Sequence, residues 1–147
     1  MGLSYFFRCA KCGYTLATNL GVGGFATPRF RKKILQAARN GELGEEIQNF
    51  VLENPEGVID SANILKKCVQ CGRYETTQSL TMYLPAEKFS GGEKYLLFKK
   101  YPHTCKYCGG DVEIFTEEDF IECNHNLKCP HCHAELINDE TKGGLWD

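Results

Sequence analysis

The chain has no apolar run approaching the ~20 residues of a membrane-spanning helix. Its opening residues, Met1 to Arg8, carry no charged lead, no long apolar stretch and no small-residue cleavage site, which argues against a secretory signal. Gly2 lacks the serine or threonine four positions on that a myristoylation signal requires. A soluble, cytoplasmic protein is the expectation. Catalytic signatures are also missing. There is no Ser/His/Asp order, no H-E-x-x-H and no deaminase motif, so no catalytic residue is assigned and a non-enzyme is expected. The loop Gly21-Val-Gly-Gly24 lacks both G-x-G-x-x-G spacing and a Walker ending, and reads as a turn. At 147 residues, 42% hydrophobic and 24% charged, the chain is globular rather than disordered.

Cysteine, by contrast, is abundant. Eight of nine cysteines fall into four Cys-x-x-Cys pairs: Cys9/Cys12, Cys68/Cys71, Cys105/Cys108 and Cys129/Cys132. One repeated spacing without a secretory signal favours metal thiolate sites over a disulfide scaffold, and four copies argue against a single redox pair. Two cysteines three apart on a tight turn place both sulfurs on one side of the backbone. Glycine follows three pairs, at Gly13, Gly72 and Gly109, where a positive φ lets the chain turn back. Two such knuckles complete a tetrahedral site of four cysteines, so four knuckles imply two metal ions, zinc by preference, with iron also accepted by thiolates.

Phe7-Arg-Cys-Ala-Lys-Cys-Gly-Tyr14, Lys67-Cys-Val-Gln-Cys-Gly72, Thr104-Cys-Lys-Tyr-Cys-Gly-Gly110 and Lys128-Cys-Pro-His-Cys132 resemble zinc-ribbon and rubredoxin-type knuckles. The chain is similar to a bacterial zinc-ribbon group, a resemblance that implies structure and no activity. His133 departs from the pattern, standing where glycine is usual.

Cys105/Cys108 and Cys129/Cys132 are separated by 20 residues, and short-range closure favours their sharing one site. Cys9/Cys12 and Cys68/Cys71 then share the other, across 55 residues. A crossed pairing would tie the two halves together more tightly. Cys123, His125, His131 and His133 cluster near the fourth knuckle. They could serve a third or open metal site, but complete four-cysteine sets favour a buried Cys123 and surface histidines.

The fold expected is α+β: two small ribbon hairpins, the first carrying an inserted helical hairpin. Residues 1–84 form the first ribbon with its insertion at about 28–53, residues 85–94 a linker, and residues 95–147 the second ribbon. Thr27-Pro28 reads as a helix start and Asn40-Gly41 as its stop, with a second helix over 42–53. Tyr74 to Leu84 reads as one long strand, Thr116 to Asp119 as an acidic turn or short helix, and 139–147 as a tail anchored by Trp146.

Charge is segmented. Residues 1–40 hold seven basic and no acidic residues, 41–63 six acidic and no basic, and 111–147 ten acidic against two basic. The net charge of −2 argues against a general nucleic-acid binder. The run Arg29, Arg31, Lys32 and Lys33 is the candidate anion or nucleic-acid contact, with pairing to Glu42, Glu45 and Glu46 as the plainer reading. Aromatics beside the strands read as core. The function expected is a non-catalytic adaptor with two structural zincs and a macromolecular partner, protein rather than nucleic acid. The alternatives are nucleic-acid binding through Arg29–Lys33 and a rubredoxin-like iron electron carrier.

Overall fold

The computed structural model describes residues 2–23, 28–86, 94–122 and 126–146. Among these, ten strands in antiparallel sheets and three helices make up a mixed α and β protein. No helix among the described residues is long and apolar enough to cross a membrane.

The chain divides into two discontinuous units. The first holds residues 1–27, 62–78 and 103–147, the second 28–61 and 79–102. This corrects the division at 84 and 95. Strand ladders decide it, because partners are drawn from opposite ends of the sequence. In the first unit, β1 (Gly2–Arg8) pairs with β2 (Thr15–Leu20), and also with β9 (Ile137–Asn138) and β10 (Gly144–Trp146). A second sheet runs β5 (Tyr74–Gln78), β4 (Asn63–Cys68), β8 (Val112–Phe115). The expected tail is therefore a strand: Trp146 donates its indole N–H to the Leu20 carbonyl at 2.8 Å. Gly2 and Gly23 leave room for the Trp146 ring, since a Cβ at either would collide with it.

Alternation along β2, exposed at Thr15, Ala17 and Asn19 and buried at Leu16, Thr18 and Leu20, is the period-2 pattern of a strand with one face in the core. That core joins Phe7, Leu16, Leu20, Leu65, Tyr74, Leu127 and Leu136, with Tyr5, Tyr14 and Phe120 against it, as expected of the strand aromatics. The buried Thr18 hydroxyl meets the Thr76 hydroxyl at 2.7 Å. The acidic segment is the helix α3 (Glu117–Glu122). Thr116 and Asp119 exchange side-chain-to-amide hydrogen bonds across its first turn, a capping box.

The second unit carries the two helices, α1 (Lys32–Arg39) and α2 (Glu45–Glu53), with β3 (Val58–Ile59), β6 (Met82–Pro85) and β7 (Tyr95–Lys99) in the order β3-β6-β7. The helical hairpin is thus present, but it builds a core of its own from Ala38, Ile47, Phe50, Val51, Ile59 and Met82 rather than decorating a ribbon. Helix α1 starts four residues after Pro28; Thr27 lies outside the described residues. It ends as expected at Asn40-Gly41. Gly41 takes φ 79° while the Glu42 amide reaches the Ala37 carbonyl and the Gly41 amide the Ala38 carbonyl, closing a Schellman motif. Two acidic residues, Glu45 and Glu46, sit in the first turn of α2, where they suit the helix dipole.

The long strand expected over 74–84 is two strands, interrupted at Ser79–Thr81 where Leu80 takes φ 54°, and its halves serve different units. The expected linker belongs to the β6–β7 hairpin, closed by the Ala86 amide on the Lys94 carbonyl at 2.6 Å; residues 87–93 lie outside the described set.

Asp60, 1% exposed, is held by a bidentate fork from Arg29, Nε to Oδ1 and Nη2 to Oδ2, both 2.9 Å. Asp60→Ala leaves a guanidinium without its carboxylate beside a cavity. Because Arg29 is 44% exposed, the expected loss is about 2 kcal/mol rather than the larger cost of a fully buried pair. Urea unfolding of the second unit measures it.

Candidate metal centres

All four Cys-x-x-Cys turns share one backbone scheme. The amide of the first cysteine donates to the carbonyl five residues on: Cys9 to Tyr14 (2.7 Å), Cys68 to Arg73 (2.9 Å), Cys105 to Gly110 (2.9 Å), Cys129 to Ala134 (2.7 Å). The amide four residues on donates back to the first cysteine's carbonyl, from Gly13, Gly72, Gly109 and His133 at 2.8–3.1 Å. That closing residue needs a left-handed backbone, with φ 79°, 78°, 72° and 62° in turn. His133 therefore occupies a conformation that costs a side-chain-bearing residue roughly 1–2 kcal/mol. The departure seen in the sequence is a strained but fully formed fourth knuckle.

The knuckles combine otherwise than loop length suggests. Cys9, Cys12, Cys129 and Cys132 form one group, and Cys68, Cys71, Cys105 and Cys108 the other, the sulfurs of each lying within 4.8 Å of one another. This corrects the pairing of Cys9/Cys12 with Cys68/Cys71 and of Cys105/Cys108 with Cys129/Cys132. The closed loops are nested, an outer one of 116 intervening residues and an inner one of 33. By loop-closure entropy, the nested arrangement is less favourable than the shorter loops by only about 1 kcal/mol. The ladders easily outweigh that. Cys9 follows β1, which pairs with β9 just after the fourth knuckle (Arg8 opposite Ile137). Cys68 ends β4, which pairs with β8 just after the third (Cys68 opposite Val112). Each group thus unites two knuckles whose flanking strands share a sheet.

Sulfur separations are 3.4 Å for Cys9–Cys132, 3.5 Å for Cys12–Cys129, 3.4 Å for Cys68–Cys108 and 3.7 Å for Cys71–Cys105. These are far beyond a disulfide bond of about 2.05 Å. They approach the edge of about 3.8 Å of a tetrahedron with metal–sulfur bonds of about 2.3 Å. The donor sets fit two tetrahedral thiolate ions. Amides support the first cysteines, from Cys71 to the Cys68 sulfur at 3.3 Å and from His131 to the Cys129 sulfur at 3.4 Å. The third knuckle is braced by Lys66, 7% exposed, whose ammonium donates to the Thr104 carbonyl and pairs with Glu75, both at 2.9 Å.

The eight thiols alternate in acidity. The Cys12 amide holds Cys9 down at about 6, and the Cys71 amide holds Cys68 at about 6. At Cys105 and Cys129 burial pushes the thiol up, but the amides of Cys108 and Tyr107, and of Cys132 and His131, outweigh it and both are lowered. The second cysteines go the other way. The Tyr14 amide pulls Cys12 down, yet the Cys129 sulfur and burial carry it to about 12. The Gly110 amide is likewise outweighed at Cys108, which the Cys68 sulfur and burial carry to about 11. Cys71 and Cys132 are raised as well, against the amides of Arg73 and Ala134, by burial and the sulfurs facing them.

A cleft of about 270 Å³ lies between the second and fourth knuckles, lined by Lys67, Gln70, Glu113, Lys128, Pro130 and His133. His131 and His133 are exposed, as expected; Cys123 and His125 lie outside the described residues. The basic segment is divided in use. Arg29 is engaged by Asp60 rather than by Glu42, Glu45 or Glu46, Arg31 stands at the N-cap of α1, and Lys32 and Lys33 are exposed. Glu46 pairs instead with Lys99. Sequence reasoning missed the Arg29–Asp60 fork and the Lys66 brace, because neither has a local spacing signal. The chain matches no protein-family model, no curated protein and no solved structure.

Paired serine variants test the nesting. Cys9→Ser with Cys132→Ser is expected to leave one bound metal per chain, and Cys9→Ser with Cys68→Ser to leave none; the reverse pattern by elemental analysis would restore the short-loop pairing. The turn geometry has its own test. Gly13→Ala, with open space around its new Cβ but φ 79°, is expected to destabilise by about 1 kcal/mol. His133→Gly is expected to be neutral or stabilising by up to about 1 kcal/mol, because it relieves the same strain. Thermal midpoints of the metal-loaded proteins should move in these senses.

Proposed function

We propose that this chain is a non-catalytic zinc protein whose two ions are structural, one held by Cys9, Cys12, Cys129 and Cys132 and the other by Cys68, Cys71, Cys105 and Cys108. The observation that carries the reading is the convergence of eight sulfurs into two closed groups at near-tetrahedral spacing. Four cysteines complete the shell of a zinc ion, so neither centre keeps an open position for substrate. Bound zinc would supply charge neutralisation for four thiolates and a cross-link between distant segments. The protein's residues do the rest: they orient the sulfurs by knuckle amides and brace the third knuckle through Lys66.

The role that follows is an adaptor, a metal-stabilised scaffold displaying surfaces to a partner protein. Nucleic-acid binding through Arg29, Arg31, Lys32 and Lys33 is the weaker alternative, since the Arg29 guanidinium is occupied by Asp60. Zinc is preferred to iron on the closed, redox-free role the geometry suits.

The test is metal stoichiometry with absorption and proton release. Two zincs per chain and no visible bands are expected; iron with thiolate charge-transfer bands would turn the function to electron transfer. Near pH 8 Cys9 and Cys68 are largely ionised while Cys12 and Cys108 keep their protons, so each ion should displace about two protons. As pH falls, protons also occupy the first cysteines and more must be displaced, so affinity declines toward acid. Chelation should unfold the first unit, while the helical circular dichroism of α1 and α2 persists, because the second unit's core has no cysteine among the described residues.

A further inference from the structure

The sheet of the second unit ends in β7, and three consecutive large apolar side chains there face solvent: Leu96 is 63% exposed, Leu97 54% and Phe98 50%. Among the described residues β7 pairs with β6 alone. A long apolar edge of this kind is a template for another strand.

Ladder parity shows which backbone groups it offers. The Ala86 amide bonds to the Lys94 carbonyl, which makes that opposed pair a hydrogen-bonded one. Alternation then directs the amide and carbonyl of Leu96 toward Leu84, and those of Tyr95 and Leu97 away from β6. Pro85 stands opposite Tyr95, where the parity requires no amide toward β7. The register shift beyond Leu97, and Lys99 and Lys100 after it, confine any pairing to a short stretch.

The occupant must match a strand that is apolar at its centre and cationic at one end. A second copy of β7 does so. Antiparallel about Leu97, it sets Leu97 against Leu97, Leu96 against Phe98, and Tyr95 against Lys99. The last is a cation–π pairing that keeps the two Lys99 side chains apart. Lys99 is also neutralised within each copy by Glu46. The faces agree. Leu96 lies on the side of Leu84, which packs on the helical core, and Phe98 stacks on Phe50 of α2 at 4.9 Å. Pairing would continue that partly covered face from one copy into the next.

We propose that two copies of this chain associate through β7, antiparallel about a two-fold axis at Leu97, joining their three-stranded sheets into one of six strands. The interface is isologous, so it closes as a dimer and does not propagate. It is independent of the metal centres, whose ligands all lie in the other unit.

Sedimentation equilibrium of the metal-loaded full chain, from about 5 to about 200 µM, tests it by mass action. The wild type is expected to rise from one-chain to two-chain mass over that range. Leu97→Lys places like charges at the axis and should weaken association about tenfold or more. Leu97→Pro removes the outward amide while leaving the β6 ladder its bonds, and should do the same. Unchanged metal content and helical circular dichroism identify folded variants. A wild type that stays at one-chain mass throughout overturns the proposal and assigns the edge to a strand of a different protein. Association unaffected in both folded variants overturns it equally.

Discussion

The convergence of sulfurs from opposite ends of the chain is the constraint on which the first unit depends. The outer group joins the turn after β1 to the turn before β9, and the inner group joins the end of β4 to the turn before β8. Eight thiols in two such clusters would repel as thiolates, and their alternating acidity shows how the backbone manages this. Amides stabilise charge on the first cysteine of every knuckle, while the second retains its proton until something displaces it. A divalent ion at each centre is the simplest species that satisfies all four sulfurs.

The two units rest on different physics. The first packs a thin pair of sheets around few aliphatics, and cysteine sulfurs make up part of its core, with Cys9 and Cys129 buried among Leu16, Leu127 and Leu136. Small cores of this kind rely on a cross-link or metal to offset chain entropy. The second has a conventional apolar core between two helices and a sheet, and a buried aspartate held by arginine. Its stability is set by burial and by that fork, and its exposed strand β7 is where it departs from a closed domain.

Much of the local structure is legible in the residues. The knuckle turns follow from Cys-x-x-Cys-Gly because only a left-handed fifth residue closes both backbone bonds, and His133 shows that the constraint is conformational rather than chemical. The end of α1 at Asn40-Gly41 follows from the same freedom of glycine. What misleads is any inference from distance along the chain. Loop length favoured neighbours in sequence as partners in a site, but closure entropy depends only on the logarithm of length. Tyr74 to Leu84 looks continuous because its residues all suit strands, yet Leu80 turns the chain from one unit into the other.

The sequence alone determined the chemistry of the sites: four thiolate knuckles, eight ligating sulfurs, two helices and their stops. These are encoded within short runs of neighbouring residues, through φ preferences, sulfur spacing and side-chain periodicity. Only the tertiary structure decided which knuckles share a centre, that the helical hairpin owns a core, that Arg29 answers Asp60, and that Trp146 closes a sheet against Leu20. Each of these depends on ladders between segments far apart in the chain. The free energy of such ladders comes from burial summed over both strands, and no single stretch of sequence carries that sum.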